Sequence, residues 1–527
     1  MLRRARIAIQ LAFLALFFYL LIRTVGTGED RLGPPVRAFL DFDPLIALTT
    51  WLRTHALPGA MALAAVTVAL TFLLGRFVCG WVCPLGTLSQ ISLRIGRRRH
   101  AERSRDGCTA AQRWKYLVLL FVLAGAAAGA LWTGILDPIS LTVRSLSLGF
   151  GPAAESVTRA VANALARTPL GRATDPAYEW IRDNVLAPRP PLFEQGMLLA
   201  TIFIGLLALS WWRRRFWCRV LCPLGALLGA IAQGGSLALK QQESACTECA
   251  LCTIHCQGAA DPDRMDGWRP SECFVCGNCT ACCRQNGLAF GFTFPRLLPL
   301  QQKARQSVAA LDVRRRQMLI ALGLGFVAAP IARVSPARAH PAAATIRPPG
   351  AGSENEFLDR CVRCGECMKV CVGNGLHPAG MEEGLLGLWT PLLRARIGYC
   401  EYECTLCGQV CPTGAIRPLT REEKERTVIG LAWIDPGKCL PFAYATPCIV
   451  CEEHCPTSPK AIVLEDATVT APSGETRAVR RPKIDPRRCV GCGICEYRCP
   501  LDGDAAIRVF GVNRTGQGSA FDLEDSG

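Results

Sequence analysis

Six groups of four cysteines follow residue 240 of this chain, and their spacing admits very few folds. Cys246, Cys249, Cys252 and Cys256 follow a Cys-x2-Cys-x2-Cys-x3-Cys rule, which Cys273, Cys276, Cys279 and Cys283 repeat. Cys361, Cys364, Cys367 and Cys371 obey the same rule, as do Cys489, Cys492, Cys495 and Cys499. Two groups depart from it. Cys400, Cys404, Cys407 and Cys411 carry one inserted residue, and Cys439 stands nine residues before Cys448, with Cys451 and Cys455 following. Disulfides use an even number of cysteines but do not explain a repeated spacing. Zinc takes paired Cys-x2-Cys motifs, yet a four-cysteine run closed by x3-Cys-Pro, as at Pro412, Pro456 and Pro500, points to iron and sulfide.

In such runs three thiolates wrap three corners of a [4Fe–4S] cube, and the fourth cysteine serves the neighbouring cube. Cys246, Cys249 and Cys252 are then completed by Cys283, and Cys273, Cys276 and Cys279 by Cys256. Cys282 is left over beside Cys283, and Gln257 and Arg284 stand where proline is usual. The sixteen cysteines after residue 357 fill sixteen positions with none spare, which brings the expectation to six [4Fe–4S] clusters. Other cofactors find no support. There is no Cys-x2-Cys-His for covalent haem, the apolar spans carry no histidine, and no glycine-rich fingerprint marks a flavin or NAD site. No catalytic residue is legible, and no quinone-binding one.

The front of the chain is different. Half of the 527 residues are hydrophobic and 19% are charged, with mean hydropathy +0.23. Residues 1–339 carry 38 Lys and Arg against 19 Asp and Glu, whereas residues 340–527 carry 21 against 24. Four stretches, Ala5–Ile22, Pro58–Val78, Tyr116–Ile135 and Phe193–Trp212, approach the ~20 apolar residues that cross a bilayer. Arginines sort around them: Arg3, Arg4 and Arg6, then Arg94–Arg105, then Arg213–Arg215. By the positive-inside rule these mark the cytoplasmic face, so the N-terminus is inside and loops 24–57 and 136–192 are outside. The same reasoning makes Arg94–Arg105 a topology signal and excludes a nucleic-acid partner. A fifth apolar segment, 312–339, opens on Arg314-Arg315-Arg316-Gln317 and ends in Ala337-Arg338-Ala339. It reads as an internal twin-arginine export signal with an A-x-A cleavage pattern, or else as a fifth membrane anchor. Either reading places the later residues outside. Export of a folded domain suits clusters assembled in the cytoplasm.

The expected architecture is an α-helical membrane domain joined to small α+β bacterial-ferredoxin-like [4Fe–4S] domains. The membrane domain covers 1–235, with four spans and a candidate fifth helix. A cytoplasmic two-cluster domain occupies 240–295, the signal or anchor 312–339, a linker 340–356 and an exported four-cluster domain 357–515. A duplication runs through the first part: Arg76-Phe-Val-Cys79-x3-Cys83-Pro84-Leu-Gly and Arg215-Phe-Trp-Cys218-x3-Cys222-Pro223-Leu-Gly. Both copies fall at the cytoplasmic end of a span, so two hairpins bring Cys79, Cys83, Cys218 and Cys222 together as candidate redox thiols or a metal site. A plain helix stop uses the same Pro and Gly.

With these motifs in view, residues 1–300 resemble the NapH/MauN-type membrane ferredoxins and residues 312–510 the NapG/MauM-type exported ferredoxins, here in one chain. Val372 in place of proline, the spare Cys282 and the fusion itself depart from that pattern. The resemblance implies a component of the bacterial inner membrane, its C-terminal domain periplasmic, that takes electrons from quinol. The implied acceptor is a periplasmic cytochrome, reductase or dehydrogenase, as in nitrate-reductase systems. It also leaves room for a cytoplasmic donor, or for an electron-donating maturation or regulatory factor of a periplasmic metalloenzyme. Among the last four groups, the enlarged Cys439–Cys448 spacing resembles four-cluster subunits of molybdenum oxidoreductases, in which the first group pairs with the fourth and the second with the third. Tandem pairing of neighbours is the alternative.

Overall fold

The computed structural model describes residues 2–26, 30, 32–96, 110–168, 171–186, 192–242, 246–263, 268–292, 314–334, 345–470 and 474–512. The arginines at 97–105, the Ala337–Ala339 pattern and the first part of the linker lie outside the described residues. The chain folds into two compact units that share it in turn. Unit 1 takes Met1–Ile22, Val36–Leu146 and Met197–Ile331; unit 2 takes Arg23–Pro35, Ser147–Gly196 and Ala332–Gly527.

Unit 1 is built on apolar helices: α1 (Leu2–Arg23), α2 (Pro44–Thr54), α3 (Ala64–Leu74), α4 (Pro84–Gly96), α5 (Trp114–Ala127), α6 (Pro138–Arg144). Among the described residues, α1 and a segment Arg315–Arg333 are long and apolar enough to cross a membrane. The other expected spans are shorter. The second begins as a 3-10 turn, Gly59–Leu63, continues as the 11-residue α3 and stops at Gly75, whose φ of +68° a helix does not tolerate. At 1.5 Å per residue, an 11-residue helix reaches ~16 Å, about half of the ~30 Å hydrocarbon layer. Helices α2 and α6 start alike, each with proline in the first turn behind an aspartate cap. Asp43 accepts from the amides of Leu45 and Ile46 at 2.8 and 3.2 Å. Asp137 accepts from Ile139 and Ser140 at 3.0 and 2.7 Å. These side chains answer the helix's orphan amides. The two carboxyl groups are buried and lie within electrostatic reach of each other.

In unit 2, α7 (Gly151–Ala166) packs on α8 (Gly171–Asn184). Unit 1 resumes with α9 (Gly196–Trp212) and α10 (Pro223–Gln233), then an antiparallel pair, β1 (Leu237–Gln241) with β2 (Leu288–Phe292), that frames the first two cysteine runs. Helix α11 (Arg315–Val334) follows. Its Gly325 comes so close to α5 that a Cβ there would lie 2.5 Å from the Phe121 carbonyl. The rest of unit 2 contains three more antiparallel pairs: β3 (Leu376–Pro378) with β4 (Pro391–Leu393), β5 (Gly430–Ile434) with β8 (Ile507–Gly511), and β6 (Ile462–Thr470) with β7 (Thr476–Ile484). Short helices and two-stranded ribbons around buried cysteines give the small α+β character expected of ferredoxin domains.

Candidate iron–sulfur ligand sets and a buried thiol centre

The four standard runs share one backbone device. On each side of the second cysteine stands a left-handed residue. These are Glu248 and Ala250, Val275 and Gly277, Arg363 and Gly365, and Gly491 and Gly493, with φ between 50° and 85°. Alternating hands curl the loop so that successive N–H groups point inward, a concavity suited to an anionic cluster. Three of the eight are non-glycine residues larger than alanine, in a region that costs energy. The two irregular runs turn differently. There the second half of the run begins a helical turn at Leu406–Gln409 and Val450–Glu453, entered from Thr405 and Ile449 with ψ of 3° and 4°.

In unit 2 the thiols gather in four sets. Cys361, Cys364, Cys367 and Cys411 lie within electrostatic reach of one another; we call this set A. Cys371, Cys400, Cys404 and Cys407 line one cavity, set B. Cys489, Cys492 and Cys495 approach one another and Cys455, set C. Cys439, Cys448, Cys451 and Cys499 line a second cavity, set D. The walls of both cavities are otherwise almost wholly apolar.

Neighbouring groups therefore pair, first with second and third with fourth, which corrects the crossed pairing expected from the enlarged spacing. The reason is local. The β3–β4 ribbon and a bridge from Asn374 to Tyr399 fold Cys371 back onto the run at Cys400. The residues between Cys439 and Cys448 are taken up by a helical turn, Leu440–Ala443, and left-handed Ala445, so the long spacing closes on its own cavity.

In unit 1, Cys256, Cys273, Cys276 and Cys279 come together as expected and are buried. Cys246 and Cys249 are exposed and Cys252 half-buried. The thiol within reach of Cys249 and Cys252 is Cys282, which also adjoins Cys283. Burial pushes thiols upward here, Cys256 and Cys492 to about 12 and Cys371 and Cys439 to about 11. Loading iron therefore releases protons. Four thiols around a common space fit a [4Fe–4S] group in sets A to D and at Cys256, Cys273, Cys276 and Cys279.

The duplicated motif forms its own centre. Cys83 and Cys222 lie within reach of Cys79 and Cys218. Cys218 packs with Phe274 and Cys276, and Cys79 lies against them. The Cys222 sulfur accepts from the Gly225 amide at 3.1 Å and so caps α10. Burial raises the Cys83, Cys218 and Cys222 thiols.

The arginine that opens each copy had no role in the sequence reading; the structure supplies one. Arg76 and Arg215 are fully buried and stack on Phe274 at 4.8 and 4.9 Å. Phe274 lies between ligand candidates Cys273 and Cys276. Arg76 also donates to the Ser271 carbonyl at 2.8 Å, and Arg215 crosses to the other copy to reach the Cys79 carbonyl at 3.0 Å. Trp81 Nε1 donates to the Val275 carbonyl at 3.0 Å. Gly80 is glycine because a Cβ there would lie 2.2 Å from the Phe274 carbonyl. Beneath the loop, buried Glu272 accepts from Lys115, from Gln112 at 2.9 Å and from Tyr116 at 3.1 Å. Arginines repeated at one offset were the signal available in the sequence. Nothing there pointed to Glu272 or Phe274.

Thiol sets in ferredoxin-type loops, on a chain with an apolar N-terminal helix, define an iron–sulfur electron-transfer protein. Comparison with known proteins agrees. The family described as a 4Fe-4S binding domain matches residues 56–101 and 195–240, the two copies of the duplicated motif. The methylamine utilization ferredoxin-type protein MauM of Methylorubrum extorquens is 39% identical over 172 residues, 32% of this chain and 73% of that protein. MauM of Methylobacillus flagellatus is 34% identical over 188 residues, 35% of this chain and 77% of the relative. Ferredoxin-type protein NapG of Escherichia coli is 38% identical over 168 residues, 31% of this chain and 70% of the relative. The chain belongs to this MauM and NapG family of ferredoxin-type proteins. No solved structure matches it.

Proposed function

We propose that this protein is a membrane-bound polyferredoxin that carries electrons from a quinol in the bacterial inner membrane to a periplasmic redox enzyme. Six thiol sets hold six [4Fe–4S] clusters, two on the cytoplasmic side and four outside. When bound, each cluster accepts and returns one electron. The chain's own residues hold the clusters in place and fix their order. Cys79, Cys83, Cys218 and Cys222 form a thiol centre against Cys276, held by Arg76 and Arg215.

The observation that carries the reading is the gathering of thiols into four sets in unit 2 and a fifth, Cys256, Cys273, Cys276 and Cys279, in unit 1. The topology has its own support. Loop segments expected outside, Arg23–Pro35 and Ser147–Gly196, fold with Ala332–Gly527. The arginine-flanked motifs fold with the two-cluster domain. Helices α3, α5 and α9 complete the membrane domain in this reading, and α11 serves as its fifth helix.

Anaerobic reduction of the detergent-purified chain by menadiol, read by EPR and visible absorbance, tests the proposal. Prompt reduction of clusters in both units is expected. Reduction by dithionite alone would overturn the quinol donor and favour a cytoplasmic donor or a maturation role.

A further inference from the structure

The four sets of unit 2 adjoin one another in succession. Set A meets set B where the helical turns Glu366–Lys369 and Leu406–Gln409, which carry Cys367 and Cys407, pack together. Set B meets set C through the Cys400 amide, which donates to the Cys492 carbonyl at 2.9 Å, and through Tyr399, which packs on Cys492. Set C meets set D where Cys495 comes within reach of Cys451, on two short helices that pack together.

The two ends of this line differ. The loop after α1 grips the A–B half. Asp30 accepts from the Thr405 amide at 2.6 Å and from the Thr405 hydroxyl at 2.8 Å, and its carbonyl accepts from Gln409 at 3.1 Å. Residues before α9 hold the same half. Phe193 meets the His377 ring edge-on at 5.6 Å, and Glu194 pairs with Arg394 at 3.6 Å. At the start of the segment after α11, Arg333 pairs with Asp359 at 3.2 Å. The run thiols of set A are buried. Around set D, Cys448, Cys451 and Cys499 are only half-buried, and beside them Tyr444 and Ile449 are 51% and 39% exposed.

We infer that the four sets form one unbranched line, A–B–C–D, tethered at the A–B half, with D as the end that meets a soluble one-electron acceptor protein. Direction along the line rests on the proposed function; the order does not. For each quinol oxidised, two acceptor molecules gain one electron each and two protons are released.

The test uses the full-length protein and the variants Cys492→Ser and Cys451→Ser. Under dithionite, EPR of C492S should show an isolated, uncoupled set D signal while A and B remain spin-coupled. Under menadiol, C492S should show A and B reduced and D oxidised. C451S should keep A, B and C reducible by menadiol but slow reduction of a soluble monohaem cytochrome c by about tenfold or more. Dipolar pulsed EPR on the wild type needs no variant to fold, and should give three near-neighbour couplings with A–D the longest distance. Coupling of D to A or B in C492S, an A–D distance as short as the others, or unchanged cytochrome reduction in C451S would overturn the inference. Failure of menadiol to reduce the wild type at all would remove the donor and leave the dithionite and dipolar measurements to decide the order.

Discussion

Glu272 offers the sharpest test of how the duplicated motif and the cluster loop hold each other. Its carboxylate is 5% exposed and faces Lys115, at 0%, in direct contact, with Arg76 Nη1 at 3.6 Å. Glu272→Gln keeps the shape and leaves both cations without their carboxylate. Breaking a buried ion pair by removing one partner costs about 3–5 kcal/mol. At ~2–4 °C per kcal/mol for a unit of this size, the midpoint should fall by roughly 10 °C. Thermal melts of the detergent-solubilised protein, followed by cluster absorbance and tryptophan fluorescence, read it directly. About four iron atoms should be lost first, because Glu272 precedes Cys273. The double variant Lys115→Met with Glu272→Leu should recover more than half of the loss, since an apolar pair of similar volume often replaces a buried ion pair without cost. If E272Q melts within ~2 °C of the wild type, the buried pair does not hold the loop and the reasoning fails.

Three further outcomes are expected. Cys283→Ser should keep its full iron content with Cys282 as the substitute ligand, whereas C282S/C283S should lose about four iron atoms by chemical analysis; equal iron in both would remove the first set. Asp30→Ala removes two hydrogen bonds to a carboxylate, worth about 1.5–3 kcal/mol each. The Thr405 amide should then exchange with solvent about 10–100 times faster, and unchanged exchange would show that the loop does not clamp. Burial, together with the Asp137 carboxyl, raises the Asp43 carboxyl well above its usual range, and burial raises Asp137 too. Their contribution is thus complete below about pH 3.9, the unfolded value, and is lost as pH rises through the folded values. Asp43→Asn should flatten that slope in pH-dependent melts, and an unaltered slope would place its origin elsewhere.

The cysteine spacing was enough to mark the last five runs that the structure gathers into sets, because ligand geometry imposes a fixed period that few other structures produce. It did not settle the pairing. A long gap such as Cys439 to Cys448 can either open a run to a distant partner or be absorbed locally, and only the turn at Ala445 decides between them. The left-handed residues were equally silent, since Glu248, Val275 and Arg363 carry no glycine signature. Arg76 and Arg215 stood in the repeat, yet their target, Phe274, is 198 residues from one and 59 from the other in sequence. Contacts of that kind belong to the tertiary fold. Span lengths were read as longer than the helices observed because hydropathy averages across Gly75 and does not register a break in the backbone.

The alternation of the chain between two units has a consequence in time. Asp30 meets Thr405 across 375 residues of sequence. At about 5–20 residues per second, the loop is finished roughly 20–75 s before its partner is made. During that interval it is an open socket. Unit 2 closes only when the last third of the chain arrives already shaped, and unit 1 likewise awaits α11. Synthesis order therefore makes the cysteine-rich last third of the chain the final piece to be seated against the waiting loops.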